Sequence, residues 1–466
     1  MSSDKGNRLI KNTFIVGLGS IASKAIAFLM APLFSHWLSV EEYGAFDLVT
    51  TYVSLLLPFC TLSIAEACFR FLLDDLESRK KKEVVSSSLT VALMGYVTFM
   101  LIYFLLSKCT GLVDFKWTIC VLLFSQMLFT YFSEVARGIK EVGLYSLFSF
   151  ISVVLLASFS TIFLVIFKLG LNGIVLGYSL AYLISAVGLF FTTKAYHFVS
   201  IYEVSIPAIK EMLAYSWPLI PNSISWWVVN VSDRLIINNF IGLAANGIYA
   251  VANKIPAIVN VLFSVFHVSW VQSASETVTD EDYSEYCNGV FNKLIPFIFS
   301  TVTGLISGNF LFYYFIFDAK YFEAYYYSPV LILAAGVSCI GQFMGGIMIA
   351  KKKTKQNGAT NIIAAISNIL INLAMVRKFG LYAASISTLL AYSILVLCRA
   401  FIIQKHVALK IQCRSWVTIL ITGVVFAGVF LNNMAVNTIL LILSCAWFLY
   451  INRDLLLKSA SIVLRR

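Results

Sequence analysis

Fourteen apolar runs of 17 to 26 residues, each closed by polar or charged punctuation, occupy most of this 466-residue chain. A membrane-spanning helix needs about 20 consecutive, mainly apolar residues. The expected fold is therefore all-α: a polytopic membrane protein with about 14 transmembrane helices, near 13–37, 43–66, 85–107, 117–136, 144–167, 173–193, 213–237, 246–271, 291–314, 327–350, 358–376, 381–402, 416–432 and 436–452. Charge content supports this. Only 12% of the residues are charged and 60% are hydrophobic, whereas a soluble chain carries about 25% charged residues to coat its surface. The segments between runs are short, so no sizeable extramembrane domain is expected.

The basic, polar stretch Met1 to Lys11 precedes a run too long for a signal-peptide core, so a retained first helix is expected. The Lys and Arg residues report the orientation. Of 34, 23 fall in segments on the side of the N-terminus, 6 on the opposite side and 5 inside the spans. Since cytoplasmic loops are enriched in these residues, both termini are expected in the cytoplasm. One segment departs from the rule: the acidic loop Glu276 to Glu285 has no basic residue. A net charge of +11 spread over many short loops does not form the basic stripe that nucleic acid requires, so no nucleic-acid partner is expected. Nine scattered cysteines without Cys-x-x-Cys spacing and four isolated histidines predict neither a disulfide framework nor a metal site.

The chain repeats itself. Gly170-Leu171 with Leu180-Ala181-Tyr182 recurs 210 residues later as Gly380-Leu381 with Leu390-Ala391-Tyr392, and Tyr43-Gly44-Ala45-Phe46 is weakly echoed by Asn246-Gly247-Ile248-Tyr249. Six spans separate the copies, an even number, so the halves share one orientation about an axis along the membrane normal, which is a transporter architecture. The expected organisation is an N-terminal lobe, 1–200 (spans one to six), a C-terminal lobe, 201–410 (spans seven to twelve), and two additional helices with the tail, 411–466.

Polar groups inside the spans mark candidate sites, because a charge at mid-bilayer costs about 2.5–3.5 kcal/mol on insertion scales. Lys24 lies near the middle of span one on a face of small residues. In span seven Ser223, Trp227, Asn230, Arg234 and Asn238 recur at helical spacing and share one stripe. Pro218 and Pro221 interrupt the helix just before it. Arg234 and Lys254 lie about 9 Å and 13 Å along their helices from the connecting loop, at about 1.5 Å per residue, so they share a similar depth, with Asp233 able to pair with either. The cations Lys24, Arg234, Lys254, Lys293 and Arg399 outnumber the acids Asp47, Glu66, Glu134 and Asp233. A cationic interior suits a phosphate-bearing substrate. Gly341 and Gly345 form a Gly-x-x-x-Gly pair that predicts a close helix contact.

Three segments resemble the polysaccharide-transporter, or O-antigen flippase, branch of the multidrug, oligosaccharidyl-lipid and polysaccharide exporter superfamily: Leu38-Ser39-Val40-Glu41-Glu42-Tyr43-Gly44-Ala45-Phe46, Asp233-Arg234-Leu235-Ile236-Ile237 through Gly247-Ile248-Tyr249 to Lys254, and Asn372-Leu373 through Gly380-Leu381-Tyr382-Ala383-Ala384-Ser385-Ile386-Ser387-Thr388. The chain departs from the family pattern at Val376-Arg377-Lys378, where a proline is usual, and at Ala383, where a glycine is usual. The resemblance implies two six-helix lobes around a central cavity open alternately to either side. It also implies translocation of an undecaprenyl-pyrophosphate-linked oligosaccharide, an O-antigen, capsule or exopolysaccharide unit, across the bacterial cytoplasmic membrane. On that reading Lys24, Arg234 and Lys254 meet the pyrophosphate and acidic sugars, Asn230 and Trp227 meet sugar, and Asp47, Asp233 and Glu66 are gating partners or hold a coupling ion. No cofactor is expected beyond coupling to H+ or Na+. Membrane lipids, a glycan polymerase and chain-length machinery are the expected partners.

Two rival transport readings are a cation-coupled drug or metabolite antiporter of the same superfamily, against which the cationic interior counts, and a lipid II flippase. An enzyme such as a membrane glycan polymerase would be expected to carry a large outer loop with catalytic side chains; the longest outer segments here are Lys108 to Lys116 and Phe315 to Tyr326. No enzymatic activity is expected.

Overall fold

The structure is a computed structural model that describes residues 26, 28–74, 77–107, 116–405, 407–431, 433–454 and 457. Most of the first expected span, including Lys24, lies outside the described residues. Each later span coincides with helix. Eleven helices are long and apolar enough to cross a membrane, and two shorter apolar helices accompany them. The protein is a multi-pass, all-helical membrane protein. Its packing divides into two compact units, Met1–Val231 and Ser232–Arg466.

Unit 1 begins, among the described residues, with helical chain over 28–37 and then α1 (Val40–Thr61). Ser39 and Glu42 open α1 with a reciprocal capping box: the Glu42 backbone N–H donates to Ser39 Oγ at 3.1 Å, and the Ser39 N–H donates to Glu42 Oε2 at 3.0 Å. Span two does not run on as one helix. Pro58 removes one donor, and Leu62 and Ser63 then take left-handed φ values of 51° and 50° before α2 (Ile64–Leu72) starts. Next come α3 (Ser78–Ser107), α4 (Lys116–Gly138), α5 (Val142–Thr161, extended by a π turn to Ile166) and α6 (Gly170–Thr192).

Gly170 shows why the repeated Gly-Leu pair begins a span. Its φ is +53°, and a Cβ there would collide with Glu42 Oε1, which accepts a 3.4 Å hydrogen bond from the Leu171 N–H. The carboxylate that closes the box on α1 thus also sits at the positive N-terminal end of α6. Elsewhere in unit 1, successive serines of α3 hold the linker to α7 (Ile206–Ser216). Ser86 Oγ donates to Phe198 O and accepts from the Ser200 N–H, while Ser87 Oγ accepts from the Ser205 N–H. Tyr131 of α4 is fully buried and bonds to Val85 O and Ser88 Oγ of α3 at 2.7 and 2.8 Å, satisfying its hydroxyl in an otherwise apolar core.

The division between units falls within α8 (Leu219–Phe240), which starts after a break at Trp217 and Pro218. Unit 2 continues with α9 (Leu243–Ala252), α10 (Lys254–Glu276), α11 (Tyr283–Phe315), α12 (Ala324–Ala350), α13 (Thr354–Phe379), α14 (Leu381–Ile403), α15 (Cys413–Val429) and α16 (Met434–Ile451). Span eight is two helices rather than one. Pro256 has no N–H for the Ala252 carbonyl, and the chain steps at Asn253, whose side-chain amide donates to Tyr249 O at 2.8 Å. The Tyr313 hydroxyl donates to the neighbouring Val251 carbonyl at 3.2 Å, so the break is hydrogen-bonded internally.

Helices α15 and α16 pack on α11. Thr303 pairs with Thr422 at 2.8 Å, and the Asn452 amide donates to Ser300 Oγ at 2.9 Å. The extended linker before α15 is held by two asparagines one turn apart on α11. Asn288 bonds to Ala408 O and the Lys410 N–H, and Asn292 to Lys410 O and the Gln412 N–H. Met94, Leu101 and Leu105 of α3, Val424 of α15 and Ile442 of α16 are exposed, as lipid-facing positions should be.

Candidate functional site

Unit 2 holds a buried acid. Asp233, on the unit 2 part of α8, is 5% exposed. Its Oδ1 accepts from Asn372 Nδ2 of α13 at 2.9 Å, and its Oδ2 accepts from the Tyr249 hydroxyl of α9 at 2.9 Å and the Thr388 hydroxyl of α14 at 2.8 Å. Four helices thus converge on one carboxylate through neutral donors. Asn368, one turn before Asn372, donates to Thr388 Oγ1 at 3.3 Å. The Oδ1 atoms of Asn368 and Asn372 are buried with no donor. The oxygens gathered here belong to a carboxylate, two amides and two hydroxyls.

Tyr249, Asn372 and Thr388 hold the oxygens of Asp233, and the charge of the adjacent Arg234 acts on the same carboxylate. Arg234 and Lys254 are half-buried, the latter as the first residue of α10 at the Asn253 step. Trp227, on the unit 1 part of α8, is buried, and its indole N–H faces Thr51 O and Ser54 Oγ of α1, each at 3.2 Å. Lys24 and the side chain of Asn230 lie outside the described residues. Asp47, in the second turn of α1, is half-buried, whereas Glu66 is exposed in the first turn of α2. The two acids sit at opposite ends of span two and share no site. Among the described residues, no three His, Cys, Asp or Glu side chains cluster as a metal site.

Sequence reasoning left Arg399 without a role. It is 3% exposed on α14, and its guanidinium donates to Thr360 Oγ1 at 3.1 Å and Asn361 Oδ1 at 2.8 Å on α13 and to Gly341 O on α12. No described carboxylate pairs with it. The Gly-x-x-x-Gly pair makes the space: a Cβ at Gly345 would sit 2.7 Å from Arg399 Nη1, and one at Gly341 3.1 Å from Leu395 of α14. The motif is a close helix contact, as expected, built around a buried cation. Asn372 and Thr388 were also missed as site residues, although both stand in a segment that carries the family resemblance. Their signal was polar side chains at inward positions of otherwise apolar spans.

An all-helical, multi-pass protein with a duplicated sequence and a buried carboxylate among amides and hydroxyls belongs with membrane transport folds. Residues 9–278, more than half of the chain, match the family described as polysaccharide biosynthesis protein, and the chain belongs to that family. An uncharacterized membrane protein of Methanocaldococcus jannaschii is 22% identical over 465 residues, covering 90% of this chain and 89% of that protein. A protein named probable low-salt glycan biosynthesis flippase Agl15, from Haloferax volcanii, is 21% identical over 253 residues, 52% of each. Among solved structures, the lipid II flippase MurJ in an inward closed conformation superposes with a TM-score of 0.72 at 14% identity, over 95% of this chain and 100% of that one. The fold is thus shared with that solved structure over nearly the whole chain.

Proposed function

We propose that this protein is a flippase that carries an undecaprenyl-pyrophosphate-linked oligosaccharide from the cytoplasmic to the outer leaflet by alternating access, with no enzymatic step. The family match over residues 9–278 carries this reading. A relative named as a glycan biosynthesis flippase supports it. The protein resides in the cytoplasmic membrane with both termini inside, and glycan polymerase and chain-length machinery act beside it. Lys24, Arg234 and Lys254 meet the pyrophosphate. Asn230 meets sugar, and Trp227, whose N–H is engaged, offers its ring. Asp47 and Glu66 act as gating partners.

Asp233 is proposed to hold the coupling ion. It contributes one negative charge, and Val376, one turn beyond Asn372, is buried and apolar where a second acid would raise the charge. A single carboxylate with amide and hydroxyl oxygens suits a monovalent ion, Na+ or H+. A ligand shifts a conformational equilibrium only by its differential affinity for the two states. Filling the acceptors of Asn368 and Asn372 in one state would supply that difference.

Reconstitution tests the reading. Vesicles containing the purified protein and a fluorescently labelled lipid-linked oligosaccharide should expose the glycan to an impermeant quencher faster than protein-free vesicles. Lys24→Ala, Arg234→Ala and Lys254→Ala should each slow that exposure at equal protein content. Protein-containing vesicles no faster than empty ones would reject the flippase reading. Full rates in all three variants would reject the pyrophosphate assignment.

A further inference from the structure

Three half-exposed or exposed side chains meet where α12 and α14 both begin. Tyr327 and Tyr382 stand edge to face, with ring centroids 4.8 Å apart and planes at 68°. The Tyr327 hydroxyl donates to Glu323 Oε1 at 2.7 Å. Glu323 is exposed and forms no ion pair with any described residue. Lys320, the cation nearest in sequence, is instead paired with Asp318 at 3.8 Å and lies over the Tyr321 ring.

Behind this surface the support is rigid. Tyr325 is buried, packs against Phe322 and Tyr326, bonds through its hydroxyl to Val429 O and the Asn437 amide, and accepts at its own carbonyl from Asn309 at 3.0 Å. A side chain fixed on both its backbone and its hydroxyl holds its neighbours in place, which is what a recognition surface requires. The opposite end of α12 leads into Lys351, Lys352, Lys353 and Lys355. By the bias of basic residues toward the cytoplasm, the tyrosines face outward.

Tyrosines at a membrane surface commonly form an interfacial belt, with rings among the chains and hydroxyls among the headgroups. A belt gives no reason for a carboxylate without a cation to be hydrogen-bonded among them, and anionic headgroups would repel it. Two rings set at an angle beside a carboxylate fit a sugar instead. The C–H face of a pyranose packs on an aromatic ring, and its hydroxyls donate to carboxylate oxygen. We propose that Tyr327, Tyr382 and Glu323 form an outward-facing subsite for a pyranosyl unit, with Oε2 of Glu323 accepting from a sugar hydroxyl. The subsite deepens the flippase reading and rests on it, as a place where the delivered glycan is held on the outer side.

The test uses the full-length protein in phosphatidylcholine nanodiscs, with maltotriose, chitotriose and mannotriose as soluble probes, read by saturation-transfer NMR. Saturation should reach the ring protons of at least one probe. Glu323→Gln should weaken that binding about tenfold, the scale of a lost hydrogen bond to a charged group, and Tyr382→Leu by about tenfold through loss of the aromatic face. Tyr327→Phe, which keeps the ring, should weaken it less. Thermal unfolding should be unchanged in all three, since none of these side chains is in the core. No transfer from any probe, or equal transfer in wild type and in the Tyr382→Leu, Glu323→Gln double variant, overturns the subsite and leaves an aromatic belt. Sugar binding that survives in a protein inactive in the vesicle assay would reject the flippase reading instead, so the two failures are separable.

Discussion

Asn372 donates its side-chain amide to the Asp233 carboxylate across 2.9 Å and leaves its own Oδ1 buried without a donor. One residue thus satisfies the acid and places a further acceptor oxygen beside it. The coupling proposal turns on this pairing.

Replacing Asp233 with asparagine keeps the volume and removes the charge. Glycan exposure in vesicles by Asp233→Asn should lose its dependence on an imposed Na+ or H+ gradient. Retention of the wild-type gradient response would place the coupling ion elsewhere. Asp233→Ala should also lower thermal stability, because the Tyr249 hydroxyl and the Asn372 amide lose their acceptor, whereas the Thr388 hydroxyl keeps the Ala384 carbonyl. A buried polar group left unpaired costs about 1–3 kcal/mol.

Gly345 and Gly358 offer a paired comparison. Gly345→Ala places a methyl 2.7 Å from Arg399 Nη1, and overpacking of this kind costs about 1–3 kcal/mol. At Gly358 on α13 nothing lies within 4 Å of the Cβ position, so alanine should be neutral or stabilise by about 0.5–1 kcal/mol through helix propensity. Thermal melts in one detergent suffice. A destabilised Gly358→Ala beside an unaffected Gly345→Ala would contradict the packing described at Arg399.

Gly170→Ala meets two obstacles together, a left-handed backbone and the Glu42 carboxylate. A loss of about 1–3 kcal/mol is expected, the scale for a strained backbone position. In Glu42→Ala the steric part should disappear, so the cost of Gly170→Ala should shrink in that background. A double-mutant cycle measures the coupling, and additive effects would mean that Glu42 does not cap α6.

Asn288→Ala and Asn292→Ala each remove both bonds of one asparagine to the linker before α15. Each should cost about 1–2 kcal/mol and expose the linker. Limited proteolysis should then cut near residues 404–412 at protease levels that leave the parent intact. Unchanged cleavage in the double variant would show that the linker is held by other contacts.

Much of the architecture was legible in the sequence because lipid enforces a simple rule: a spanning segment must be apolar, long and internally hydrogen-bonded. The spans and the repeat around Gly170 and Gly380 could be read from run length and spacing, and the family from the resemblance of three quoted segments. The breaks were harder to see. Pro256 splits span eight at Asn253, and Leu62 and Ser63 end α1 in left-handed geometry, where hydropathy alone shows one continuous run.

By itself the sequence determined the all-helical membrane class, where along the chain the described apolar helices fall, and Asp233 as an intramembrane acid of interest, since each of these follows from a residue's own chemistry in lipid. Only the tertiary structure decided what Asp233 touches. Tyr249, Asn372 and Thr388 lie up to 155 residues away, and no local pattern says which polar side chains of separate helices will converge. The structure likewise brought Arg399 to the Gly341–Gly345 contact and Tyr327 to Tyr382. Partners across helices are set by packing, which depends on shape and distance in space rather than on spacing along the chain.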